Sequence, residues 1–160
     1  MSETFLRIDG QVGNPVQLSH DALADLLDEH QVADVSQLDP KRRGRAVRLS
    51  ALLALAVADP QATHLGLNGT RDNFHASIPL EEVRERAFVI YSLDGQPLPL
   101  TAGGPFRFFI PDHAACHAEE IDECANVKFL DRIELTIGPG FDNRPKDDEE
   151  HARLHDEQTG

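Results

Sequence analysis

An α+β domain with a mixed or antiparallel sheet is the fold class this chain of 160 residues predicts. Three observations carry that reading. Residues 133–137 alternate strictly, with Ile133, Leu135 and Ile137 on one side and Glu134 and Thr136 on the other, which is the period of a half-buried strand. Three short segments carry helix signals instead. The two kinds of segment do not follow one another in the regular strand–helix–strand order of a parallel α/β fold, so short helices packed on a sheet remain.

Taken in order, residues 4–8 read as a short strand turned by Asp9-Gly10, with 16–18 as its returning partner. Ser19 is placed to cap a first helix, and Asp21 favours its positive end. Leu23, Leu26, Leu27 and His30 recur at helical spacing and predict an inward face. Residues 39–48 read as a polar, basic loop with Pro40, Lys41, Arg42, Arg43 and Arg45. Ser50 is expected to cap a second, largely buried helix over 51–58, stopped by Asp59-Pro60. Residues 62–67 and 74–78 read as strands about a turn at Asn68-Gly69. Pro79 opens a short helix to residue 86 with Leu80 and Val83 facing in. Residues 87–93 form a strong strand, Asp94-Gly95 turns the chain, and a proline-rich link leads to a strand over 106–110. Residues 1–140 make one domain; 141–160 are acidic and poor in apolar residues, and predict a disordered tail.

Lysine and arginine number 15 against 28 aspartates and glutamates, a formal net charge of -13. Nucleic-acid binders present the opposite charge, so neither nucleic acid nor an anionic membrane surface is an expected partner. No apolar run is long enough to span a bilayer. Met-Ser-Glu-Thr-Phe-Leu-Arg at the start lacks the basic-then-apolar pattern of a secretory signal, so the expected compartment is the cytoplasm. Two cysteines, Cys116 and Cys124, are too few for a disulfide scaffold.

Between Gly95 and Ile137, Arg107 and Lys128 stand among apolar, strand-forming residues. A cation there either waits for an anion or snorkels its tip to water. The surrounding motifs resemble the molybdopterin-binding domain of the sulfite oxidase family. Gly104-Pro105-Phe106-Arg107-Phe108-Phe109-Ile110-Pro111 and Val127-Lys128-Phe129-Leu130-Asp131-Arg132-Ile133-Glu134 carry the resemblance most specifically. Leu6-Arg7-Ile8-Asp9-Gly10-Gln11, Val47-Arg48-Leu49-Ser50-Ala51-Leu52-Leu53 and Ser77-Ile78-Pro79-Leu80 add to it in the same order. The resemblance implies the family's α+β domain, a molybdopterin cofactor, and oxidoreductase chemistry. It implies that Arg107, Asn126 and Lys128 face the pterin phosphate, where fixed cations make charge-assisted hydrogen bonds. It also implies a cysteine thiolate on the metal, from a loop before the Leu-x-x-Leu-Leu helix. The matching residues 35–40, Val-Ser-Gln-Leu-Asp-Pro, hold no cysteine, so soft ligation from that loop is lacking.

A second constellation lies at 112–124, where His113, Cys116, His117 and Cys124 offer imidazole and thiolate ligands suited to zinc or another transition metal. Their spacing fits no standard zinc motif; Cys124 could instead pack as a small buried thiol, and Cys116 could pair with Cys124 as a redox switch. Lys41, Arg42, Arg43 and Arg45 form an anion candidate outside the family motifs; the acidic tail is one partner they could take. No phosphate-cradling loop, dinucleotide fingerprint or nucleophile elbow occurs. The sequence therefore predicts a molybdopterin-binding-like domain without the family's metal–cysteine chemistry, or with it altered. The alternatives are a non-catalytic interaction module on the same fold and a small metal-binding protein using the His/Cys insert.

Overall fold

The computed structural model describes residues 5–38, 42–69, 71, 73–111, 127–140 and 142. Ten strands in two sheets and three short helices make up the described part. The first sheet contains β1 (Leu6–Gly10), β2 (Val16–Leu18), β5 (His64–Gly69), β6 (Phe74–Pro79) and β10 (Arg132–Thr136), in the order β2-β1-β10-β5-β6. The first and last of these strands in sequence, β1 and β10, lie side by side and parallel; the other pairings are antiparallel. The second sheet contains β3 (Gln31–Val32), β4 (Arg45–Arg48), β7 (Phe88–Leu93), β8 (Gln96–Pro97) and β9 (Arg107–Phe109), with β7 at its centre. The mixed α+β architecture expected from the sequence is the one observed.

Side-chain alternation decides how the sheets meet. Leu6 and Ile8 of β1, Leu65 and Leu67 of β5, and Ile133 and Leu135 of β10 point to one side of the first sheet. They join Val47, Val89, Tyr91 and Phe108 of the second sheet in one buried cluster. The helix α2 (Leu49–Ala56) adds Leu49, Leu52, Leu53 and Ala56 to it. Each such side chain, fully buried, stabilises the fold by about 1.5–3 kcal/mol relative to exposure. A smaller cluster of Val35, Ala46, Phe88, Ile90, Leu98 and Phe109 covers the opposite face of the second sheet.

Several local expectations shift by a few residues, each for a visible reason. Ser19 does cap α1 (His20–Ala24), accepting from the Ala22 N–H at 3.2 Å. That helix ends early, because Gln31 Nε2 donates to the carbonyls of Leu23 and Leu26 and terminates it. Leu27, expected on the inner face, is therefore 66% exposed. The basic loop ends sooner than predicted: Ala46 and Val47 are fully buried in β4. The second helix starts at Leu49, directly out of that strand, since the Leu49 N–H already bonds to the Ala87 carbonyl; Ser50 is not its cap. Asn68 and Gly69 continue β5 instead of turning it, paired with His75 and Phe74. Pairing of β10 stops at Thr136, which leaves Ile137 57% exposed. The helix after Pro79 is the single turn α3 (Leu80–Val83), with both named residues buried.

Candidate functional site

The site begins with a turn. Pro99 leads into a tight helical turn, Leu100–Ala102, which Gly103 ends at φ 93°. That left-handed conformation suits glycine, which has no Cβ to clash. It aims the Gly103 carbonyl at the Phe129 N–H, 2.7 Å away. Phe108 N–H donates to Val127 O at 3.0 Å and Leu130 N–H to Phe106 O at 2.8 Å. These bonds zip residues 106–108 against 127–130, so the segments bearing Arg107 and Lys128 run side by side. A Cβ on Gly103 would sit 3.1 Å from Arg107 Cδ, 3.2 Å from Arg107 Nη1 and 3.3 Å from Lys128 Cγ. Both cationic stems thus close on the empty side of one glycine.

Arg107 is only 9% exposed. It alternates with Phe106 and Phe108, which enter the main core, and shares its face of β9 with Phe109 of the outer cluster. Its Nη1 donates to the Ala102 carbonyl at 3.3 Å, while its buried Nε has no partner. Burial first, and the charge of Arg42 second, push its pKa down to about 10. Arg42, just ahead of β4, also has a buried Nε without a partner. Among the described residues, neither arginine nor Lys128 has a carboxylate within ion-pair distance. A buried cation without a counter-charge is costly, and a second cation beside it raises the cost. Lys128 itself is exposed, with its stem against Gly103.

The hairpin that carries Arg42 is pinned from below. Tyr91, fully buried on β7, donates its hydroxyl to Gln31 Oε1 at 2.6 Å, and Arg45 Nε donates to the same oxygen at 2.8 Å. Val35 N–H bonds to Gly44 O at 2.9 Å across the hairpin. Asp34 accepts from the Ser36 N–H at 2.9 Å, which together with the Ser36 side chain and Arg43 holds its carboxyl below the usual carboxylate range. An open cleft of 570 Å³ lies between this hairpin and the turn at 94–95, lined among others by Asp34, Arg43, Arg45, Ser92 and Asp94. Arg43, next to Arg42, faces that cleft. Beyond Lys128, Arg71 lies over the ring of Phe129, 5.5 Å from its centroid.

Of the residues singled out from sequence, Arg107 and Lys128 come together beside Gly103. Asn126 and all four ligands of the His/Cys insert, His113, Cys116, His117 and Cys124, lie outside the described residues, as do Asp39, Lys41 and residues 143–160. Among the described residues no three His, Cys, Asp or Glu side chains converge as a metal site. Sequence reasoning missed the role of Gly103, whose signal was its place in Ala-Gly-Gly-Pro.

The fold and this cluster define a two-sheet α+β domain in which a buried arginine and an exposed lysine, Arg107 and Lys128, flank one glycine. A sequence model described as the oxidoreductase molybdopterin binding domain matches residues 43–139, and the chain belongs to that family. No curated protein matches the chain in sequence. Among solved structures, the sulfane dehydrogenase SoxCD from Paracoccus pantotrophus is similar in fold, at 19% identity and a TM-score of 0.62. The match covers 85% of this chain and 39% of that one, so the chain spans well under half the length of that relative.

Proposed function

We propose that this chain is a molybdopterin-binding domain that holds the phosphate of the pterin between Arg107 and Lys128. The observation that carries this is the buried guanidinium of Arg107, whose Nε has no partner and which meets no carboxylate among the described residues. A phosphate dianion would accept from Arg107 Nε and neutralise the cluster, turning its cost into charge-assisted hydrogen bonds. The space beside Gly103, which any side chain would fill, keeps both stems close enough to share one ligand. These residues fit the phosphate end of the family's cofactor. The cofactor, when bound, supplies molybdenum redox chemistry through its dithiolene.

The metal end differs in this reading. Residues 31–45 contain no cysteine, so this chain offers no thiolate there. We read the protein as a binding domain whose oxidoreductase activity is altered or lost, acting in the cytoplasm. Expression in a host that makes the cofactor, followed by native mass spectrometry of the full chain, tests this. A mass increment matching the pterin, absent in Arg107→Met, is the expected result. A folded chain that never carries pterin would overturn it.

A further inference from the structure

Ser92, His20 and Asp21 meet end to end at the wall of the open cleft beside the turn at 94–95. Ser92 Oγ lies 3.0 Å from His20 Nε2, and His20 Nδ1 lies 3.2 Å from Asp21 Oδ1. No nucleophile elbow marks Ser92 in the sequence, but such a set is recognised by geometry and not by position in the chain.

A bulge brings the set together. β4 and β7 pair Arg45 with Ser92 and Ala46 with Ile90, which leaves Tyr91 as an extra residue. Alternation alone would send Tyr91 and Ser92 to opposite faces of β7, and a bulge re-aims side chains. His20, at the start of α1, meets both. Its ring centroid lies 5.5 Å from that of Tyr91, and its Nε2 reaches Ser92. Tyr91 is itself held by Gln31, so the imidazole packs against an anchored ring.

The partners decide where the protons sit. An ionised carboxylate only accepts, so a neutral imidazole here carries its hydrogen on Nδ1, toward Asp21. Nε2 then turns its lone pair to Ser92 Oγ, which is the tautomer a general base needs. The Ser92 hydroxyl has a second acceptor, the Gln96 carbonyl at 2.9 Å, and one hydrogen to share between the two. Ser92 is 4% exposed and lines the 570 Å³ cleft with Arg43, Arg45, Asp34 and Asp94.

We propose that this is a second site, a serine hydrolase centre for small polar carboxylic esters. It uses none of Arg107, Lys128 or Gly103 and does not rest on the pterin reading. Ser92 Oγ attacks the ester carbonyl carbon while its proton passes to His20 Nε2. The bond to the leaving alcohol breaks, that oxygen takes the proton from His20, and an acyl group stays on Ser92. Water then attacks the acyl carbon and gives a proton to His20. The bond to Ser92 Oγ breaks, the proton returns to that oxygen, and a carboxylic acid leaves. Two arginines and two aspartates in the wall favour a polar acyl group over a long alkyl chain. Ser92 and His20 are the catalytic residues; Asp21 is a positioning residue.

The full chain, treated with a fluorophosphonate probe and separately with p-nitrophenyl acetate, tests this. Peptide mapping should find the probe on Ser92, and p-nitrophenolate should be released steadily. Ser92→Ala should abolish both. His20→Gln should slow both at least about 100-fold, and serves as the reporter if the alanine variant does not fold. Asp21→Asn should lower kcat with KM unchanged, since Asp21 is an exposed residue that sets the ring tautomer. A chain that takes no probe on Ser92 overturns the proposal, as does labelling at the wild-type rate in His20→Gln or turnover that survives Ser92→Ala. An Asp21→Asn effect confined to the unfolding midpoint would overturn its positioning role. Faster turnover of p-nitrophenyl octanoate than of the acetate would overturn the substrate class.

Discussion

The outward faces of the two sheets treat arginine in opposite ways. On the first sheet, one register row crosses all five strands as Gln17, Arg7, Arg132, Asn68 and His75, polar at every step. Arg132 in that row donates to Asp9 at 2.9 Å and to Glu134 at 3.1 Å, and its pKa is raised, chiefly by the Asp9 hydrogen bond. On the second sheet Arg107 sits among apolar outward residues, Ala46, Ile90 and Phe109, with its pKa lowered. Among the described residues, Arg132 meets two carboxylates and Arg107 meets none.

The largest effect expected from breaking this contrast is on binding. Arg107→Met should weaken oxyanion binding at least about tenfold, because a charge-assisted hydrogen bond with a buried donor is lost; calorimetry reads it directly. Gly103→Ala comes next. Its φ of 93° strains any side chain, and its Cβ would press on both cationic stems. A loss of about 1 kcal/mol or more in denaturant unfolding is expected, together with weaker binding of phosphate. Arg132→Met leaves Asp9 and Glu134 without their arginine, but the side chain is 40% exposed, so about 0.5–1 kcal/mol is the expected loss.

The pH dependence of the second sheet sharpens the comparison further. Arg107 ionises near 10 when folded and at its ordinary, higher value when unfolded. Between those values the unfolded chain holds more protons, so this group makes stability rise with pH. Below that window its charge is a standing cost. The difference in stability between wild type and Arg107→Met should therefore narrow as pH rises through about 10, and denaturant midpoints across that range would show it.

Much of the fold was legible because long apolar strands and capped helices write themselves locally. The strand around 87–93 emerges as β7 (Phe88–Leu93), and the alternation near the C-terminal end emerges as β10. The short strands were not legible. In β4 only Ala46 and Val47 are buried, and basic residues on both sides hide them. The end of α1 depends on Gln31, whose side chain satisfies carbonyls five and eight positions earlier, which periodicity does not reveal. For the site, the resemblance singled out Arg107 and Lys128 from their motifs. The closing of both stems on Gly103 depends on how residues 106–108 pair with 127–130, a tertiary event with no local signal.

Unfolding of wild type and Arg107→Met by denaturant, once in oxyanion-free buffer and once in saturating phosphate, tests most directly whether Arg107 is kept for a ligand. Without phosphate the methionine variant should be the more stable by about 1–2 kcal/mol, since a buried unsatisfied donor has been removed. With phosphate the order should reverse, because only the wild type gains from binding. An ordering that stays the same in both buffers would contradict the account.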